Sequence, residues 1–270
     1  MNRFRKKRSL TFFYRLSAVG LFVFVFACGG GGSGEGSEKD NTLIIGGFDS
    51  SRGGDASITD GLLHEGLRVV IYDAFPGTVF TSSAEITDSY LSSIDILLLV
   101  SATTCCSEID PLTKEEQDAV LRFVEAGKGV LIFSDSENFG SPLTDSANES
   151  LIDPFGLDIE GTLEWDQNAT ITDPAAHPVT SGPFGQISTI HLYFPGWFTD
   201  LGPHAISLAT MDGSGADVLA VIDAGAISPT SGRVVLFSDI ITTPAHLGDL
   251  LRKNEALILN SIAFVGNINH

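Results

Sequence analysis

Short apolar runs rich in Val, Ile and Leu alternate with helical patterns from about residue 41 to the C-terminus. One of these runs, Ile94–Val100, is apolar at every position except Asp95, which is continuous enough to indicate a strand buried on both faces of a parallel sheet. The predicted strands are Thr42–Asp49, Arg68–Asp73, Ile94–Val100, Gly129–Asp135 and Arg233–Asp239.

Helical patterns separate these strands. Thr59–Gly66 predicts a helix closed by glycine. Thr113 predicts an N-cap with Glu116 at the capping-box position, and the apolar face of that helix continues toward Gly127. A last helix is predicted over about Leu247–Val265. Because strand and helix alternate, the expected fold is α/β, a flavodoxin-like, doubly wound and mostly parallel sheet.

The alternation is less regular between residues 151 and 226. His204–Met211 and Asp217–Asp223 predict antiparallel or edge strands, so this region is interpreted as a β-rich insertion. The region contains the aromatic residues Trp165, Tyr193, Trp197 and Phe198. These side chains are interpreted either as a carbohydrate-binding face or as core.

Residues 1–27 predict an export signal. Six Lys and Arg residues precede or flank the apolar stretch Ser17–Ala27, which is shorter than the roughly 20 residues that a spanning helix needs. Cys28 after Ala27 resembles the lipobox of bacterial lipoproteins, which implies a lipid such as palmitate on Cys28. The alternatives are an uncleaved signal anchor, or a secretory peptide followed by a free thiol.

Residues 28–40 predict a flexible Gly/Ser-rich tether, and residues 41–270 predict a single domain.

The charge balance limits the possible partners. The chain has 15 basic and 34 acidic residues, and removal of residues 1–27 would leave a formal charge of about −25. Such a surface repels nucleic acid, so no nucleic-acid partner is expected. We expect an exported protein attached by its lipid to the bacterial cell membrane or outer membrane. Gly29 after Cys28 resembles lipoproteins that are sent onward to the outer membrane.

Several motifs follow one another in an order that resembles the class I glutamine amidotransferase-like superfamily. They are Phe48–Asp49, Asp95–Val100, Leu112–Gln117, Phe123–Ile132, Asp153–Gly156, His177–Gly182 and Gly232–Asp239. More narrowly, the order is similar to the catalytically silent GIFT/DUF4350-like branch, which occurs in exported proteins and in intraflagellar transport. The resemblance implies one amidotransferase-like domain over nearly the whole mature chain.

Active members of that superfamily carry a nucleophilic cysteine on a sharp turn after a central strand and a histidine after a later strand. Here the first turn reads Ser134-Asp135-Ser136, without the glycines of a nucleophile elbow. The later strand ends in Ser238-Asp239. The resemblance therefore implies the fold together with loss of the parent chemistry.

Another reaction remains an alternative. Ser134, Asp239 and His246, or Cys105 in place of the serine, would form a rebuilt hydrolase site if a base lay within hydrogen-bond reach. The other interpretation is that the hydroxyl groups cap a following loop or helix.

Aspartates at the predicted carboxyl ends of strands form a possible ligand-binding edge. Asp49, Asp135 and Asp239, with His246 in the loop beyond, are expected there, and Asp73 is placed at another such end. Converging carboxylates suit a hard cation or the hydroxyls of a polar ligand, whereas helix capping explains most of them equally well. No metal and no cofactor is predicted.

Cys105 and Cys106 are adjacent, in the loop after the third predicted strand. In an oxidising compartment they form a vicinal disulfide, remain two inert thiols, or act in redox or nucleophilic chemistry.

Two functions follow. The preferred one is a lipid-anchored, noncatalytic binding or scaffold protein that holds an envelope protein or a polysaccharide at the cell surface. The alternative is a cell-envelope hydrolase with a rebuilt Ser/Cys-His-Asp site.

Overall fold

The computed structural model describes residues 42–48, 65–101, 110–136, 142–161, 167–242 and 250–268. The predicted signal peptide and tether lie outside these residues. The first half contains strands β1 (Ile44–Phe48), β2 (Val79–Ser83), β3 (Ile96–Val100) and β4 (Gly129–Phe133), and helices α1 (Glu65–Ala74), α2 (Asp88–Leu91), α3 (Lys114–Glu125) and α4 (Pro142–Ile152).

The second half is mainly β. After a short 3-10 turn, Asp153–Phe155, it contains β5 (Asp158–Glu160), β6 (Gln167–Ile171), β7 (Ser181–Gly182), β8 (Gly185–Gln186), β9 (Thr189–Leu192), β10 (Trp197–Asp200), β11 (Ile206–Met211), β12 (Asp217–Ile222) and β13 (Val234–Phe237). Two helices follow, α5 (Leu250–Lys253) and α6 (Glu255–Val265). The β-rich insertion predicted for residues 151–226 is present.

The main sheet has the order β2-β1-β3-β4-β13-β12-β11-β6-β9, with β10 and β5 branching from β12. Strands β2, β1, β3, β4 and β13 pair in parallel. Counted along the chain, these five strands have the 2-1-3-4-5 order of flavodoxin-like sheets. The remaining strands pair antiparallel, as predicted for the segments before Asp223. The predicted α/β, flavodoxin-like fold is therefore confirmed.

The parallel strands are covered on both faces. All five residues of β3 and all five of β4 are buried, as the continuous apolar runs predict. On one face their side chains pack with α1 and α6, and on the other with α2, α3 and α4. Helix α3 begins at the predicted cap: the Thr113 hydroxyl accepts from the N–H of Glu116, and the Glu116 carboxylate accepts from the N–H of Thr113.

Two predictions near the N-terminus are wrong. Arg68–Asp73, predicted as a strand, lies within helix α1, and Gly66 lies in its first turn instead of closing a helix. Leu67 and Ile71 are buried one turn apart, while Tyr72 is 53% exposed, which is helical and not strand periodicity. Asp73 therefore follows no strand, and it does not belong to the carboxyl edge of the sheet.

The C-terminal helix is also corrected. The predicted helix over Leu247–Val265 is two helices in the described part, α5 and α6, separated at Asn254. The Asn254 side chain accepts from the N–H of His191 at 3.0 Å and donates to its carbonyl at 2.8 Å. This two-way contact ties the break between the helices to strand β9.

Candidate functional site

The carboxyl ends of β3, β4 and β13 lie side by side. Val100 pairs with Phe133, and Phe133 pairs with Phe237, so the residue after β4 lies between the residues that follow β3 and β13. Those next residues are Ser101, Ser134 and Ser238. Neighbouring strands are about 4.8 Å apart, so a row of three serines crosses this edge of the sheet.

Ser134 is hydrogen-bonded to the backbone of β13. Its hydroxyl donates to the carbonyl oxygen of Phe237 at 2.5 Å, and its N–H donates to the same oxygen at 2.9 Å. The side chain is fully buried. In this arrangement the Ser134 side chain links the ends of β4 and β13.

Three other hydroxyls at this edge are buried without a partner. Ser101, Ser136 and Ser238 are at most 1% exposed, and no hydrogen-bond partner for their side-chain oxygens exists in the described part of the chain. A buried hydroxyl without a partner loses roughly 1–3 kcal/mol of hydrogen bonding. Such groups are normally satisfied by a bound water, ion or ligand, so they distinguish this edge from an ordinary strand end.

Asp135 has a local structural role. Its N–H donates to Asn148 Oδ1 at 3.0 Å, and its carbonyl accepts from Asn148 Nδ2 at 2.7 Å. Its carboxylate accepts from the N–H of Ser136 at 2.7 Å. These contacts fix the turn after β4 against helix α4.

Asp239 is the buried carboxyl of the edge. It is 3% exposed, and its Oδ2 accepts from the N–H of Tyr193 at 2.6 Å. Burial raises the pKa of this carboxyl to about 6, against the opposing effect of hydrogen bonds from the N–H groups of Tyr193, Ile240 and Phe194. Asp239 therefore changes its charge near neutral pH, unlike an ordinary aspartate.

The segment before β10 closes over the end of β13. Besides the Tyr193 bond, the N–H of Gly196 donates to the carbonyl of Ser238 at 2.9 Å. Of the aromatic residues in the insertion, Phe198 is buried in the core, and Tyr193 and Trp197 are partly exposed. Phe198 thus follows the core interpretation, while Trp165 lies outside the described residues.

Several predicted site residues also lie outside the described residues. They are Cys28, Asp49, Cys105, Cys106 and His246. The proposed lipidation, the disulfide and the distance from His246 to a serine or thiol therefore stay predictions. Of the predicted ligand edge, Asp135 and Asp239 lie in the described residues, after the neighbouring ends of β4 and β13, and Ser134 of the alternative hydrolase site lies beside them.

Sequence reasoning missed two features of this edge. Ser101 follows the predicted strand Ile94–Val100 and Ser238 lies within the predicted strand Arg233–Asp239, but nothing in their local sequence indicates an unpartnered hydroxyl. Asn148 lies in α4 and gives no sequence signal of its contact with Asp135. Within the described ranges, no three His, Cys, Asp or Glu side chains cluster as metal ligands, and no helix is long and apolar enough to span a membrane.

No family model and no curated protein matches this sequence. Solved structures do match it. The mmIFT52 N-terminal domain aligns with a TM-score of 0.55 and 11% identity over 84% of this chain and 98% of its own. A protein described as a GMP synthase subunit from Thermoplasma acidophilum aligns with a TM-score of 0.53 and 12% identity over 84% and 95%. A ThuA-like protein from Bacteroides uniformis aligns with a TM-score of 0.51 and 11% identity over 83% and 91%.

ThuA-like proteins belong to the class I glutamine amidotransferase-like superfamily. This chain has the fold of that superfamily. At 11–12% identity the likeness shows the fold alone.

Proposed function

We propose that this chain is a noncatalytic binding protein of the bacterial cell envelope, anchored through a lipid on Cys28. Its amidotransferase-like domain, of the GIFT/DUF4350-like branch, holds a polar ligand at the carboxyl edge of the sheet. Ligands of open α/β sheets bind at this edge, beyond the carboxyl ends of the strands.

The observation that carries the proposal is the hydrogen bond of Ser134. At the strand end where the resemblance places a nucleophile, the buried hydroxyl donates to the carbonyl of Phe237 at 2.5 Å. A hydroxyl becomes a nucleophile when a base accepts its proton, and a backbone carbonyl cannot act as that base. The edge thus favours binding over covalent catalysis.

The unpartnered hydroxyls of Ser101, Ser136 and Ser238 support binding of a ligand that is itself rich in hydroxyls. Each can donate one hydrogen bond and accept others. An anionic ligand is disfavoured, because Asp135 and Asp239 lie at the same edge and the whole chain has a net charge of −19. We therefore favour a neutral envelope polysaccharide over an envelope protein.

Binding is tested with the full chain in mild detergent and a neutral polysaccharide fraction from bacterial envelopes. The triple variant Ser101→Ala, Ser136→Ala, Ser238→Ala is expected to bind at least tenfold more weakly, since each hydrogen bond contributes roughly 0.5–1.5 kcal/mol. Ser93→Ala, at an exposed position away from the edge, is the matched control. Unchanged binding by the triple variant would exclude the edge as the binding site.

The same incubation tests the absence of catalysis. A binding protein is expected to leave the polysaccharide uncleaved. Release of cleavage products that Ser134→Ala abolishes would support the hydrolase alternative instead.

The anchor is tested separately by Cys28→Ser in a bacterial host fed with a palmitate analogue. The wild type is expected to carry the label and to lose its signal, whereas the variant is expected to lose the label and to keep its full length, because the signal is removed only after lipidation. A wild type that carries no label and keeps its full length would indicate an uncleaved signal anchor.

A further inference from the structure

A cavity lies at the opposite edge of the sheet from the carboxyl ends of the parallel strands. It has a volume of about 710 Å³, within the range of small-molecule pockets, and lies among the β7–β8 hairpin, the residues after β12 and the C-terminal end of α6. Strands β12 and β13 are antiparallel, with Ile222 opposite Val234, so Asp223 and Arg233 lie at the same end. Asp239 lies at the other end of β13, about 20 Å away at 3.3 Å per residue.

Arg233 presents an ordered guanidinium to this cavity. Its Nη1 donates to the carbonyl of Phe264 at 2.9 Å and to Asn267 Oδ1 at 2.8 Å, and its Cζ lies 5.0 Å from the centre of the Phe264 ring. These contacts use only one of the three nitrogens. No residue in the described ranges bonds to Nε or Nη2, which together form the planar fork that binds a carboxylate through two hydrogen bonds.

Asp223 presents a carboxylate to the same cavity. Its Oδ1 lies 3.3 Å from Nε2 of the buried His177, while Nδ1 of His177 accepts from the N–H of Val179 at 3.2 Å. The Val179 bond assigns the imidazole proton to Nε2, so His177 donates to Asp223 and orients it. The Asp223 side chain is 56% exposed, and its Oδ2 has no partner in the described part of the chain.

The wall formed by the β7–β8 hairpin is fixed. Asn260, fully buried in α6, accepts from the N–H of Phe184 at 3.0 Å and donates to the carbonyl of Gly185 at 2.9 Å. A side chain at Gly182 would collide with Asn260. The cavity is therefore shaped before a ligand arrives, which lowers the entropic cost of binding.

The two charges select the class of ligand. Both Arg233 and Asp223 line the cavity, yet no ion pair within 4.0 Å joins them in the described structure. Phosphate would meet repulsion from Asp223 and from the carbonyl end of α6, and a simple cation would meet repulsion from Arg233. We infer that this cavity binds a small zwitterion, an amino acid or a short peptide, with its carboxylate on Arg233 and its ammonium group on Asp223.

The inference is tested by calorimetric titration of the full chain in mild detergent at pH 7. The zwitterionic probes are glycine, L-leucine and the dipeptide Ala-Ala, and the probes that carry charge of one sign only are acetate, methylammonium and phosphate. Saturable binding is expected for a zwitterion and not for a probe of one sign at the same concentration. Comparison of the affinities for glycine and L-leucine with the affinity for Ala-Ala distinguishes an amino-acid site from a peptide site.

Two variants test the assigned residues. Asp223→Asn keeps the size of an exposed side chain, and Arg233→Lys keeps the charge but loses the fork, so each is expected to weaken binding at least tenfold. Asp88→Asn and Arg122→Lys are the matched controls, because this exposed ion pair on α2 and α3 is remote from the cavity. Arg233 also caps α6, so Arg233→Lys could fail to fold. In that case the binding measured for Asp223→Asn still tests the inference.

Three results would overturn the inference. The first is the absence of saturable binding by every zwitterion. The second is binding of acetate or phosphate as tight as that of the zwitterions and strengthened by Asp223→Asn, which would indicate an anion site. The third is zwitterion binding that neither variant changes. None of them bears on the carboxyl edge, so this inference and the proposed function fail independently.

Discussion

Replacement of Asp239 by Asn is expected to change how the free energy of unfolding depends on pH. The carboxyl is 3% exposed, and burial raises its pKa from 3.8 to about 6. A shift of about 2 units corresponds to about 3 kcal/mol, at 1.36 kcal/mol per unit. Between about pH 4 and pH 6 the folded protein holds a proton that the unfolded chain has lost, so Asp239 makes the fold less stable as pH rises through this window.

At any single pH, the free energy of unfolding of Asp239→Asn also contains the effect of changed hydrogen bonds. The carboxylate accepts from three backbone N–H groups, and the amide of Asn can replace only part of this set. The pH dependence avoids that difficulty, because Asn has no charge to gain. We therefore expect the stability of the variant relative to the wild type to rise by about 2 kcal/mol between pH 4 and pH 7, because part of the effect is already present at pH 4.

The assay is urea unfolding followed by tryptophan fluorescence at pH 4, 5, 6 and 7. Asp173→Asn, at an exposed turn position, is the control for loss of one negative charge. A gain below about 1 kcal/mol, or a gain of opposite sign, would refute the reasoning. It would mean that the three N–H groups outweigh burial, as they do for carboxylates whose pKa lies well below the usual value.

Two further variant comparisons test the hydrogen bonds of the described fold by chemical denaturation. Ser134→Ala is expected to destabilise the protein by about 1 kcal/mol because it removes the hydrogen bond to the Phe237 carbonyl. Ser136→Ala is expected to be neutral or stabilising because the Ser136 hydroxyl has no partner in the described residues. Equal losses of stability in the two variants would contradict this expectation. Asn254→Ala is expected to cost about 2–3 kcal/mol by leaving the backbone of His191 without its two-way contact. Asn168→Ala, at an exposed position of β6, is the control. An equal loss of stability in this variant would mean that the contact between Asn254 and His191 does not explain the effect of Asn254→Ala.

Local sequence determined the parallel core. Strands β3 and β4 are continuous apolar runs, and such runs leave few alternatives to a strand covered on both faces. The cap of α3 is equally local, because Thr113 and Glu116 contact each other within one turn. Helix α1 was mispredicted because its Val and Ile residues favour strands, while the helical spacing of Leu67 and Ile71 prevails once the sheet covers that face.

The sequence by itself also located the candidate edge, because the end of a buried strand can be read from where its apolar run stops. Only the tertiary structure decided what the residues at that edge do. The Ser134 hydroxyl bonds to a carbonyl 103 positions later, and Asp239 accepts from an N–H 46 positions earlier. The contact of His177 with Asp223 beside the cavity at the opposite edge likewise spans 46 positions. Hydrogen bonds and burial between distant segments form only when the chain is folded, so the partners of a polar group and its pKa are properties of the tertiary structure.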